Sequence, residues 1–113
     1  MGSVLAFNMT IDSSRYKSPF SLNRDMGFTR KEFFNRLPKP LAGYVFSIHS
    51  DGASIKLGGG SVLIQVGAER ERRLSDLVKL PILPVTIQFV DVDQDDKARF
   101  LLKFDHAFMK GLG

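Results

Sequence analysis

Apolar and polar residues alternate over residues 44–66, YVFSIHSDGASIKLGGGSVLIQV, and this alternation constrains the fold more than any other feature. Asp51-Gly52 is typical of a two-residue type I′ hairpin, in which both central residues need positive φ. A turn there predicts Phe46 opposite Leu57 and Ile48 opposite Ile55, with the apolar side chains on one face. Residues 58–60, three glycines, predict a second turn. The segment therefore predicts three antiparallel strands with short connections.

The flanking segments give weaker patterns. Period-two alternation predicts further strands at residues 4–11 and 85–91. Residues 12–27 show no period and are rich in turn-forming residues, so they are interpreted as a long loop. Residues 68–76 are highly charged and leave three alternatives: an extension of the third strand, a loop, or the start of a short helix.

Two helices are predicted from their end signals and apolar faces. Thr29 followed by Glu32 forms a capping box, and Pro38 disfavours helical geometry beyond Leu37. A C-terminal helix is predicted over residues 95–110, with Gly111 as its cap. Its apolar positions fall on one helical face, and they are Phe100, Leu101, Phe104, Ala107 and Phe108.

The resulting order, β-α-β-β-β-β-α, predicts an α+β fold. We expect a single twisted antiparallel sheet covered on one face by the C-terminal helix, with the short helix beside it. A β-sandwich is the alternative if residues 98–105 form a strand instead. A length of 113 residues is typical of one domain, spanning residues 1–113.

Composition excludes several kinds of chemistry. The absence of cysteine rules out disulfides, thiolate metal sites and cysteine nucleophiles. The N-terminal sequence has no signal-peptide pattern, so we expect a cytoplasmic protein. Residues 91–96, DVDQDD, lack the glycine and the terminal glutamate of an EF-hand loop. His49 and His106 lack the neighbours that a catalytic or metal site needs, so no catalytic residue, metal or cofactor is predicted.

Positive charge is concentrated in the first third of the chain. Of the net charge of +4, the surplus lies in residues 1–40, which carry seven Lys/Arg and three Asp/Glu, whereas residues 41–113 carry nine of each. Aromatic residues interleave with these cations, a pattern found in proteins that bind phosphates and unpaired bases. The same pattern also fits a solvated surface. The candidate anion-binding residues are Arg15, Lys17, Arg24, Arg30, Lys31, Arg36 and Lys39.

Three functions follow as hypotheses. The leading one is a small non-enzymatic binding module that acts through protein contacts, with itself as a homodimer or with another protein, because sheet edges are open to pairing. The second is nucleic-acid or anion binding by residues 15–39. The third is a small enzyme or ligand carrier with a pocket between the sheet and the C-terminal helix.

Overall fold

A computed structural model describes residues 20–109 of the protein. The predicted strand at residues 4–11 and the predicted cap at Gly111 lie outside the described residues. The elements in chain order are β1 (Phe20–Met26), α1 (Arg30–Arg36), α2 (Pro38–Leu41), β2 (Val45–His49), β3 (Gly52–Leu57), β4 (Gly60–Val66), β5 (Arg70–Arg73), β6 (Lys79–Val90) and α3 (Gln94–Ala107).

The strands form one six-stranded antiparallel sheet. Its main path runs in the order β1-β6-β4-β3-β2, and β5 pairs with the first residues of β6. β6, with twelve residues, pairs with β1, β4 and β5, so Ile87 lies between Leu22 and Ile64. The α+β class and the single antiparallel sheet are therefore confirmed. Residues 98–105 are helical, which removes the β-sandwich alternative.

α3 covers one face of the sheet through a row of phenylalanines. Phe100, Phe104 and Phe108 are buried, and the Phe100 ring packs edge-on against Phe89 of β6 at 5.8 Å. Asp93 caps the helix by accepting a hydrogen bond from the backbone N–H of Asp96. The predicted C-terminal helix is thus confirmed. Among the described residues no polar or charged side chain is buried, so this core is held by apolar contact.

α1 packs beside the C-terminal end of α3. Thr29 and Glu32 form the predicted capping box, with the Thr29 hydroxyl accepting from the Glu32 N–H and the Glu32 carboxylate accepting from the Thr29 N–H. Phe33 is fully buried and stacks on Phe108 at 4.9 Å. The helix ends at Arg36 with Leu37 as its cap, and Pro38 begins α2.

The first hairpin turns one residue earlier than predicted. Its turn is Ser50-Asp51, and the register pairs His49 with Gly52 and Phe46 with Ile55. Neither turn residue has positive φ, so the predicted type I′ turn at Asp51-Gly52 is wrong. The register shift is two residues, which leaves every side chain on its predicted face.

Gly52 is required for a different reason from the one predicted. It is the first residue of β3, where a Cβ atom would stand 1.8 Å from the carbonyl oxygen of Ile64 on β4. Glycine is the residue that allows such a close approach of two backbones. The second turn lies at Gly58-Gly59, as predicted, and Gly60 begins β4.

Residues 20–26 form a strand, not the predicted loop. Leu22 and Met26 lie on the helix-covered face, but Arg24 on the same face breaks the apolar pattern. At the sheet edge this side chain can reach beyond the core, where its guanidinium pairs with the Asp105 carboxylate of α3. The alternating pattern of β1 is therefore not recognisable in the sequence, because Arg24 occupies an inner-face position.

The charged segment 68–76 contains β5, a separate strand that begins after a break at residues 67–69, and not an extension of the third strand. β6 is longer than predicted because it runs through Pro81 and Pro84. A proline interrupts a ladder only where its missing N–H would have donated. Pro84 still takes part, since its carbonyl accepts a hydrogen bond from the N–H of Gly67.

Gly52→Ala should lower the free energy of unfolding by about 1–3 kcal/mol, because the new methyl group forces β3 and β4 apart. Gly59→Ala is the matched control, since a Cβ there meets nothing within 4 Å. It should change stability by about 0.5 kcal/mol at most. Urea unfolding of both variants measures the difference, and equal losses would contradict the close-approach explanation.

Phe104→Ala should cost about 3–5 kcal/mol, because it removes a fully buried ring between α1, α3 and the sheet. Leu102→Ala, on the same helix with a side chain 74% exposed, should cost far less. Thermal and urea unfolding provide the test. A small loss for Phe104→Ala would mean that α3 does not hold the core together.

Candidate interaction surfaces

The sheet carries a projecting hairpin, which we call the arm and define as residues 70–82. It consists of β5, a tip at residues 74–78 and the first residues of β6. Every residue from 67 to 80 is exposed. Ser75 fixes the tip because its hydroxyl accepts from the N–H groups of Leu77 and Val78 at 3.3 and 3.1 Å. The Leu74 N–H also bonds to the Val78 carbonyl at 2.9 Å.

The arm exposes large apolar side chains. Leu77 at the tip is 95% exposed, and Leu74, Val78 and Leu80 are all exposed as well. None of these side chains belongs to the core of the described chain. Exposed leucines outside the core have an unfavourable hydration free energy and do not stabilise the monomer. Contiguous exposed apolar surface is typical of contact sites.

An open groove of about 850 Å³ lies at the base of the arm. It forms where β1 ends at Met26, which leaves residues 79–82 of β6 without a neighbour on that side. The C-terminal end of α3 closes the other wall. The apolar lining is Met26, Phe28, Leu80, Ile82, Phe108 and Met109. Together with the tip leucines and Val78, these residues form what we call the arm-groove surface.

The arm carries four cations, Arg70, Arg72, Arg73 and Lys79, and two acids, Glu71 and Asp76. Asp25 pairs with Arg70 at 3.4 Å, and Asp105 pairs with Arg24, so both rim carboxylates are already neutralised. By contrast, the structure gives Arg72, Arg73 and Lys79 no ion pair within residues 20–109. Apart from these two ion pairs, the surface therefore combines apolar side chains with three cations and two acids, a small positive excess.

A second exposed apolar element is β2, the edge strand of the sheet. All five of its residues are exposed, including Val45 at 69%, Phe46 at 38% and Ile48 at 39%. Phe46 and Ile48 lie on the helix-covered face, yet only Tyr44 before them reaches the core, where its ring contacts Phe100. Backbone groups of alternate residues point away from β3 and remain available for another strand.

The two sheet edges differ in their protection. Natural edge strands avoid pairing through charges, inward-pointing charged residues, prolines or bulges. β1, at the opposite edge, carries Arg24 pointing inward and the charged Asp25. β2, with the sequence VFSIH, has neither a lysine, an arginine, an acid nor a proline. Among residues 20–109, β2 is therefore the edge strand of the main sheet path that carries none of these protections.

The candidate anion-binding arginines have partners inside the protein. Arg24 pairs with Asp105, and Arg30 pairs with Asp51 at 2.7 Å while its guanidinium lies 5.3 Å from the centre of the Phe34 ring. Arg36 lies over the Phe28 ring and donates weakly to the carbonyl of Ala107. These arginines link β1 and α1 to neighbouring elements, which reduces the charge that they offer to a ligand.

The remaining candidates are two lysines and two unassigned residues. Lys31 and Lys39 are exposed, and their side chains make no hydrogen bond or ion pair with other residues in the range 20–109. They are in different elements, α1 and α2. Arg15 and Lys17 lie outside the described residues. Of the seven candidates the structure therefore describes five, of which three arginines have partners inside the protein and two lysines are exposed.

Neither histidine acquires catalytic neighbours among residues 20–109. The Nε2 atom of His49 lies 3.2 Å from the Ser54 hydroxyl on the open face, and no carboxylate orients the ring. Asp93 and Asp96 serve the cap of α3, and Asp96 also binds Arg99. Within the described chain no group of three or more His, Asp or Glu side chains could hold a metal ion.

Comparison with known proteins identifies no matching family model, no matching curated protein and no matching solved structure. The helices of residues 20–109 are all too short or too polar to span a membrane. The arm is not evident from the sequence, because residues 68–76 show no regular period of apolar residues. Residues 74–80, LSDLVKL, contain the signal that could have indicated it. Their apolar residues are interspersed with charged ones, a mixture that is not typical of a buried strand.

The basic segment can be tested by salt dependence. If Lys31 and Lys39 contact phosphates, replacing each by alanine should reduce the slope of log K against log salt by about one unit for single- or double-stranded oligonucleotides. We expect no such change, because the segment's described arginines are engaged internally. Lys56→Ala, on the sheet, is the control. A slope that falls only for the Lys31 and Lys39 variants would establish nucleic-acid binding by this segment.

Proposed function

We propose that the protein is a non-enzymatic binding module that acts through protein contacts, with the arm-groove surface as its contact site. The observation that carries this proposal is the tip of the arm, where leucines extend into solvent from a hairpin that contributes nothing to the core. Apolar residues in such a place lower the solubility of the free protein. A partner that buries them turns this cost into binding energy.

The charges of the arm indicate the chemistry of the partner. Arg72, Arg73 and Lys79 flank the apolar tip, and only Glu71 and Asp76 oppose them there. A protein segment that offers apolar side chains flanked by carboxylates would complement both features. Charge complementarity of this kind increases association rates and excludes like-charged competitors. Self-association as a homodimer and a cytoplasmic location are further parts of this proposal, the latter resting on the sequence expectation alone.

The two other functions have less support. Nucleic-acid or anion binding by residues 15–39 depends on cations of which three described arginines already serve the fold. An enzyme or carrier with a pocket between sheet and α3 would need polar groups facing that space. In the described chain this space is filled by apolar side chains, and the large groove lies instead at the surface.

Photo-cross-linking in the protein's own cells tests the proposal. A benzophenone side chain introduced at Leu77 should form adducts with another protein, because the proposed contact buries this position. The same group at Leu102, which is 74% exposed on α3, is the matched control. Adducts at Leu77 that Leu102 does not form are expected, and their absence, or identical adducts at both positions, would overturn the proposal.

A second variant separates binding from folding. Leu77→Ser should change the free energy of unfolding by about 0.5 kcal/mol at most, since the side chain makes no core contact. The same substitution should remove the adducts formed by a benzophenone at the neighbouring Val78. Adducts that survive Leu77→Ser unchanged would show that the tip is not the contact site.

A further inference from the structure

We infer that β2 is a self-pairing strand, which joins two copies of this chain edge to edge around a two-fold axis through Ser47. The inference extends the proposed function, because it rests on the module acting through protein contacts and names a second copy as one partner. It concerns a different surface from the arm. The two surfaces can therefore be tested separately.

The sequence of β2 is complementary to itself. In an antiparallel pair with Ser47 opposite Ser47, Phe46 lies opposite Ile48 of the other copy, and Val45 lies opposite His49. Phe46 and Ile48 share the helix-covered face, since Phe46 pairs with the buried Ile55 and Ile48 with the buried Ala53. The two-fold axis thus brings four partly exposed apolar side chains together on one face.

On the open face, pairing of two β2 strands brings no like charges together. Ser47 and Val45 lie on the open face, where Ser47 pairs with Ser54 and Val45 with Lys56. No lysine, arginine, aspartate or glutamate belongs to β2, so two copies of the strand bring no like charges into direct opposition. An unrelated partner strand would need no such self-complementarity. This pattern therefore favours a second copy over a different protein as the occupant of the edge.

The opposite edge supports the same assignment. Arg24 points inward from β1 and pairs with Asp105, which is one of the devices that prevent strands from adding at an edge. β2, by contrast, has five exposed residues and none of these devices. A protein whose two edges were equally open would associate without limit, whereas within residues 20–109 β2 carries no such protection and β1 is charged.

Disulfide trapping tests both the pairing and its register, because the chain has no cysteine. Directly opposed residues of an antiparallel pair have Cα atoms about 4.5 or 5.5 Å apart. Both separations fall within the range of roughly 4.4–6.8 Å that a disulfide spans. Ser47→Cys should therefore form a covalent dimer rapidly under mild oxidation of the purified full chain.

Two single-cysteine controls define what a positive result means. Val45→Cys lies on the same face of the same strand, but in this register the two copies of residue 45 are four residues apart, roughly 13 Å. Ser21→Cys lies on the open face of β1, at the protected edge. Both should cross-link much more slowly than Ser47→Cys. Equal rates for Ser47→Cys and either control would overturn the inferred pairing.

A charge in the strand provides an independent measurement. Ile48→Lys places two like charges in the four-residue apolar cluster and should convert dimer to monomer in sedimentation across a concentration series. Ser21→Lys is the control and should sediment as the unmodified chain does, and circular dichroism checks that both variants fold. An unmodified chain that stays monomeric at every concentration would refute the inference. Because this assay uses purified protein alone, its failure leaves the arm cross-linking result unaffected.

Discussion

The pairing of β6 with three other strands is the interaction on which the rest of the structure depends. Its buried residues, Val85, Ile87 and Phe89, lie between β1 and β4 and form the centre of the surface on which α3 packs. The same strand continues outward through Pro81 to form half of the arm. One continuous strand therefore belongs to the core at one end and to the exposed arm-groove surface at the other.

Close backbone approach sets the second constraint. A Cβ at Gly60 would stand 2.1 Å from the carbonyl of Val90, as one at Gly52 would from that of Ile64. Each glycine lies at the start of a strand, where the chain leaves a turn and passes directly against its neighbour. The glycines that appeared in the sequence to serve turn geometry therefore also set the spacing of the sheet, with Gly58 alone of the 58–60 run having positive φ.

Features governed by local chemistry could be predicted from the sequence, and features governed by distant contacts could not. The capping box at Thr29 and the apolar face of α3 depend on residues within one or two helical turns, and both were predicted. β1 was missed because Arg24 on its inner face pairs with Asp105, 81 positions away. The predicted position of the hairpin turn is wrong because Gly52 allows β3 to pass close to the carbonyl of Ile64 and is not a turn residue. No local sequence pattern shows that contact. For the same reason the groove, built from β1, β6 and α3, was not foreseen.

The unequal sheet edges also determine what kind of assembly the chain can form. Pairing of β2 with β1 of a second copy would be head-to-tail and could continue indefinitely, as open interfaces of that kind do. Arg24 and Asp25 disfavour it, whereas the proposed pairing of β2 with itself would close after two copies. In such a dimer, β3 and β4 separate each β6 from β2, and a spacing of about 4.8 Å per strand places the two β6 strands roughly 34 Å apart. Each arm then remains accessible, and a partner with two matching segments would bind both arms with an effective concentration that a single arm lacks.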